Sequence, residues 1–313
     1  MKKTYFAFFL LGIFWGSNFI YMKWAGEIID AGKISLLRVF FAFVPVLALS
    51  WHKRILSFDQ IRYAHHFTIL AALATAFTYF SMAKGTALLP SGIAGVLGAT
   101  PPLFTALASH VLIRDERMNG LMGLGVGLGL GGITLISRPW ALASTHGSID
   151  MQGVAWLLSG AMAFGLSYVY VRLFMSRINV GSLAIVTWQM GIALILLFCV
   201  TDLSGIGKLF SDWRAATGVA LGLGVLGTGA SLFLYYLLLE ELSAVAAASA
   251  IYITPVVSLA IGWTVGEHIG LMEVLGVSLI FCCIAILEVG RQQVACGGSA
   301  ASINRPTLPP SEH

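Results

Sequence analysis

Apolar residues run along this chain in long blocks, and the polar residues gather in short breaks between them. A block able to cross a bilayer as a helix needs about 17–25 residues. Such blocks fall at about 4–22, 33–50, 65–83, 91–113, 119–136, 152–174, 181–200, 217–237, 243–265 and 269–289. The pattern predicts an all-α membrane protein of ten transmembrane helices. The longest breaks, 51–64, 137–151 and 201–216, leave no room for a soluble domain. From Arg291 to the end, residues 291–313 are rich in Gly, Ser and Pro and read as a disordered tail. The first block follows Lys2 and Lys3, as in a signal peptide, but it is too long for the usual apolar core and lacks a small-x-small cleavage site. It reads as an uncleaved first helix.

Composition agrees with the pattern. Of 313 residues, 58% are hydrophobic and 10% charged, with a mean hydropathy of +0.88. Soluble domains carry about 25% charged residues, so most of this surface has to face lipid. The net charge of +4 is small and scattered, which argues against a nucleic-acid partner. With the N-terminus placed inside, the inner segments hold Lys2, Lys3, Lys53, Arg54, Arg62, Arg114, Arg117, Arg172, Arg177 and Arg291. The outer ones hold only Lys23, Lys33, Lys84, Arg138, Lys208 and Arg214. The excess predicts both termini in the cytoplasm of a multi-pass protein of the cell membrane. Cys199, Cys282, Cys283 and Cys296 form no metal or disulfide spacing, and no cofactor motif appears. No residue pattern assigns an oligomeric state.

The chain also repeats itself. Asn18 and Lys23 match Ser167 and Arg172, Arg38 matches Gln189, Pro102 matches Pro255, and Glu116 matches Glu267, all about 150 positions apart. Two repeats follow, 4–136 and 152–289, each of five helices. Five is odd, so the second enters the membrane with opposite orientation. Inverted repeats are a transporter architecture with the site between the halves.

The FWGSNF segment at 14–19 resembles the first helix of EamA-type transporters of the drug/metabolite transporter superfamily. So do LLR at 36–38, ATPPLFTALASHVLIRDER at 99–117 and TPVVSLAIGWTVGE at 254–267. The resemblance covers about 4–289 and implies ten helices, two EamA repeats and a central cavity. It further implies export of amino acids or other small metabolites from the bacterial inner membrane, with nucleotide-sugar or sugar-phosphate exchange as the alternative.

Polar side chains in a membrane are costly and therefore mark candidate sites. Trp15 and Asn18 share a helix face; Asn18 suits a substrate group or a bond between helices, and Trp15 suits a cavity wall or packing. Tyr79, Tyr168 and Tyr252 lie deep in their helices and complete an amphipathic wall. Arg38 lies about five residues in from the helix end, where it either anchors an anionic group or snorkels. Its counterpart Gln189 is neutral, so the cavity would be positive and would suit a small zwitterion or anion. Pro101, Pro102 and Pro255 interrupt the fourth and ninth helices and are candidate hinges. His110 reads as a satisfied histidine near the interface. No Asp or Glu lies near mid-helix, which suits facilitated export or exchange. Gly123, Gly127 and Gly131 stand at GxxxG spacing in the fifth helix and predict close helix packing. The letter matches to GxGxxG at Gly127, Gly129 and Gly132, and at Gly222, Gly224 and Gly227, lie inside apolar helices and do not read as nucleotide sites. Neither a nucleophile–base pair nor paired metal-binding acids support an enzyme, and charged rings typical of a channel are missing.

Overall fold

A computed structural model describes residues 2–113, 118–138, 149–176, 178–241, 249–267 and 270–303. Among them there is no strand. We number the membrane-crossing helices α1 (Lys2–Gly26), α2 (Ala31–His52), α3 (Phe58–Leu88), α4 (Ser91–Leu112), α5 (Gly120–Ser137), α6 (Met151–Met175), α7 (Ser182–Val200), α8 (Trp213–Tyr235), α9 (Ala250–Thr264) and α10 (Leu271–Ile303). Among the described residues nine of them are long and apolar enough to cross a bilayer, and α9 is a shorter apolar tenth. The helix of α8 runs on to Glu241.

Local chemistry explains the ends. Asp30, Asn119, Asp150 and Asp212 each accept hydrogen bonds from backbone N–H groups two or three residues on, capping α2, α5, α6 and α8. Gly266, at φ +84°, ends α9 in the left-handed conformation that favours glycine. α10 continues to Ile303, past Arg291 where the Gly- and Ser-rich composition begins. Extending a helix that already exists costs no new nucleus, so Gly- and Ser-rich composition does not stop it there. Residues 304–313 and Glu116 lie outside the described residues.

The three candidate hinge prolines lie at the starts of helical segments, whereas Pro45 sits inside α2. In α4 the helix breaks at Ala99–Thr100, and Pro101 and Pro102 open its second part, Pro101–Leu112. Pro255 is in the first turn of Ile253–Thr264, after a tighter turn at Ser249–Tyr252. First-turn N–H groups have no helical partner, so proline loses nothing there.

The packing of the helices largely obeys an exchange rule. Most of the extensive helix pairings survive replacing each helix by the one five places on; the contacts of α3 with α1 and α2 are exceptions. The pairs α1–α8, α1–α9 and α2–α8 map onto α6–α3, α6–α4 and α7–α3, while α2–α7, α4–α9 and α5–α10 map onto themselves. The bundle is thus two five-helix repeats, and the odd number makes them inverted. The inner helices α1 and α6 carry the seam, and α5 and α10 pack as a pair beside it.

The glycines of α5 act on a different face from the one their GxxxG spacing points to. Gly123 and Gly127 face open space, and Gly131 meets only Leu279 at the edge of van der Waals range. Gly125, Gly129 and Gly132 face α10 instead, where a side chain at Gly132 would stand 2.6 Å from the Gly276 carbonyl. Gly276 reciprocates against Ile136 and the Gly132 carbonyl. Bare backbone on both helices lets them approach, which in lipid replaces hydrophobic drive.

Candidate substrate site

Three helices loosen into wide turns with i→i+5 bonding, over Ala71–Phe77 in α3, Val171–Met175 in α6 and Gly218–Ala230 in α8. Such turns frequently accompany functional sites because they re-aim side chains and expose carbonyls. In α3 and α8, which are repeat counterparts, hydroxyls bond the carbonyl five residues back. Thr78 Oγ1 donates to Leu73 O at 2.6 Å, Thr228 Oγ1 to Leu223 O at 2.9 Å and Ser231 Oγ to Leu226 O at 2.8 Å.

Between these two helices lies Arg38 of α2. Its side chain does not snorkel: it is buried, with the guanidinium carbon 4.0 Å from the centre of the Tyr79 ring. Its Nε donates to Thr228 Oγ1 at 3.1 Å. Tyr79 belongs to the first repeat and Thr228 to the second, so one arginine is held across the seam. No carboxylate among the described residues pairs with it; the ion pairs there are Lys33–Asp30 and Arg138–Glu273. A buried charge without a counter-ion is expensive, and cation–π contact and one hydroxyl offset only part of that cost.

Gln189, the counterpart of Arg38, donates through Nε2 to Thr75 Oγ1 at 2.8 Å, one turn from Tyr79 on α3. Asn18 of α1 is buried against Gly227, the residue before Thr228, and its Oδ1 has no hydrogen-bond partner. Asn18, Arg38, Tyr79 and Gln189 therefore gather around α3 and α8, with Thr75 and Thr228 as the linking hydroxyls. Sequence reasoning misses those two threonines. A signal for both exists, since Thr228 stands 153 positions after Thr75, the same offset as Pro255 after Pro102.

The other expected wall residues go elsewhere. Trp15 stacks at a tilt on Tyr235, 6.4 Å between ring centres, within a cluster of Ala7, Leu11, Leu238 and Ala250. Tyr252 donates to Glu288 Oε2 at 2.9 Å and ties α9 to α10. Tyr168 is half exposed, with its ring edge-on to Phe164 at 5.0 Å. These contacts engage the three rings with Tyr235, Glu288 and Phe164 and not with the Arg38 cluster. His110 Nδ1 accepts from Met118 N at 3.2 Å, the satisfied role expected of it. Among the described residues no three His, Cys, Asp or Glu side chains form a metal-binding group.

Ten membrane-crossing helices in two inverted repeats, with a buried polar cluster at the seam, define a polytopic membrane transporter. Residues 2–138 and again 151–289 match the EamA-like transporter family, and the chain belongs to it. It is similar to the uncharacterized transporter YoaV of Bacillus subtilis (strain 168), with 24% identity over 284 residues covering 90% of this chain and 95% of that protein. It is also similar to the uncharacterized inner membrane transporter YedA of Escherichia coli (strain K12), at 25% identity over 205 residues, 64% of this chain and 63% of that one. A solved crystal structure shares the fold with a TM-score of 0.58 at 16% identity, over 94% of this chain and 99% of the other.

Proposed function

We propose that this transporter is not an enzyme but exports a small zwitterionic or anionic metabolite, an amino acid or a compound derived from one, by alternating access between its two repeats. Arg38 is the anchor for the anionic group. The observation that carries this reading is a buried guanidinium with no carboxylate partner among the described residues, held between Tyr79 and Thr228 at the seam. A membrane protein tolerates such a charge where it meets water or a ligand of opposite sign. The neutral Gln189 in the counterpart position leaves that charge uncompensated, and Asn18 Oδ1 supplies an acceptor beside it. Pro101, Pro102 and Pro255 mark the segment starts about which α4 and α9 would pivot. Both termini face the cytoplasm in this reading.

The test is transport in proteoliposomes across amino acids, their derivatives and sugar phosphates, with Arg38→Lys and Arg38→Gln beside the parent. Lys keeps the charge but loses the planar fork, so it should retain partial transport, while Gln should lose it by at least about tenfold, the equivalent of about 1.4 kcal/mol. Equal transport by Gln and Arg at every salt concentration would remove Arg38 from the site.

A further inference from the structure

The two ends of the bundle are built from equivalent residues, and the end where α1 finishes is closely packed. At the end where α1 finishes, Lys23 Nζ donates to the carbonyls of Leu89 at 2.9 Å and Ala87 at 3.3 Å. Phe19, one turn deeper, is 4% exposed and lies against Gly95 and Gly98 of α4, whose bare backbone admits the ring. At the opposite end the counterparts are Arg172 and Tyr168, and both are exposed, Tyr168 to 50%. The Lys23 end is shut.

One contact at the shut end crosses from one repeat to the other through a carboxylate. Glu267, just after α9 in the second repeat, accepts from the backbone N–H of Ser91 at 2.5 Å and of Gly92 at 2.9 Å, the first two residues of α4 in the first repeat. The chain is shaped to deliver it. Gly266 turns at φ +84°, and Glu267 N donates back to Gly262 O at 2.9 Å, which folds the carboxylate over the end of α9. Gly262 and Gly92 carry no side chain to keep it away. A carboxylate on two otherwise unpaired N–H groups, at the positive end of a helix dipole, is a strong charge-assisted contact. The helices it joins are α4 and α9, one of the self-paired couples of the exchange rule.

We infer that Glu267 is the latch of the Lys23 end: its grip on the first turn of α4 holds that end closed, and its release accompanies opening to that side. The inference rests on the alternating-access reading above. It differs from an ordinary helix cap in its consequence. A cap changes stability alone, whereas a latch shifts the balance between the two open states.

The experiment reads accessibility, with no substrate needed. In a background lacking the four native cysteines, Met22→Cys reports the Lys23 end, where Met22 is 1% exposed, and Tyr168→Cys reports the other. A membrane-impermeant maleimide is applied to each face. Glu267→Gln should raise labelling at position 22 by about fivefold or more, the lower range of coupling between two states, and lower labelling at position 168. Ser91→Pro perturbs the same contact from the other side. It deletes one donor at the first helical position, where proline is tolerated, and so keeps the protein folded if Glu267→Gln does not. It should act in the same direction. Asp212→Asn, a cap confined to its own helix at the same end, should change neither rate. Folded Glu267→Gln and Ser91→Pro proteins that label like the parent at position 22 would overturn the latch. A rise at position 22 without a fall at position 168 would keep the latch and reject alternating access instead.

Discussion

The contact between Asn18 and Gly227 offers a measurement of how tightly the candidate site is built. Gly227 is where α1 and α8 touch, and a methyl group added there would overlap Asn18 Oδ1 outright. Ordinary close C···O contacts stand at about 3.3–3.6 Å, so the asparagine would have to withdraw from α8. Asn18 is only 5% exposed and has little space to enter, and overpacking of this kind costs about 1–3 kcal/mol. Against this, Gly→Ala inside a helix gains about 1 kcal/mol of propensity. Gly227→Ala should therefore destabilise by about 0–2 kcal/mol and, by moving Asn18 and the adjacent Thr228, reduce transport. In an Asn18→Ala background the overlap with the side chain is gone and only the Gly222 carbonyl, 2.6 Å from the added methyl group, still opposes it, so the same substitution should cost clearly less than in the parent. The coupling energy from the four proteins should be about 1–3 kcal/mol. Denaturant unfolding in detergent micelles, followed by tryptophan fluorescence, gives all four stabilities. If Gly227→Ala costs the same with and without Asn18, the two residues do not meet and the site is assembled differently.

Other expectations follow from the packing and from the charge pattern. Gly129→Leu and Gly132→Leu should disrupt the α5–α10 pair, whereas Gly123→Leu and Gly127→Leu, which face open space, should fold normally; comparing their yields and melting temperatures checks the assignment of faces. Tyr252→Phe removes a hydrogen bond to Glu288, and a bond to a charged group is worth about 1.5–3 kcal/mol, so the melting temperature should fall while the Arg38 cluster stays intact. An unchanged melting temperature would mean that the hydroxyl finds water equally well. Reporter fusions at either terminus should be active only on the cytoplasmic side, and activity on the other face would reverse the topology.

Much of the architecture is legible from the residues. The apolar blocks place all ten helices, with boundaries shifted by a few residues where an interfacial turn or a cap extends a helix, as at Phe58–Tyr63 before α3. The spacing of Asn18, Arg38 and Pro102 from Ser167, Gln189 and Pro255 marks the two repeats. The candidate site is legible in part. Arg38, Asn18, Tyr79 and Gln189 stand out because polar groups are costly in lipid. Trp15, Tyr168 and Tyr252 stand out for the same reason, yet they pack on Tyr235, Phe164 and Glu288. Depth along a helix is written in the sequence, but which neighbouring helix a side chain meets is not.

The sequence by itself determined that this chain lives in a membrane, how often it crosses, that it doubles a five-helix unit, and which polar residues lie at depth. Each of these depends on a residue's relation to water and lipid, or on one segment's likeness to another, and both can be read along the chain. Only the tertiary structure decided that Arg38 reaches Thr228, 190 positions away, across the face of Tyr79. The same holds for Gly125, Gly129 and Gly132, and not the Gly123 face, meeting α10, and for Glu267 closing on α4. These depend on which helix faces which. In lipid that choice is made by shape and hydrogen bonding between surfaces of nearly equal polarity, and only the assembled helices bring those surfaces together.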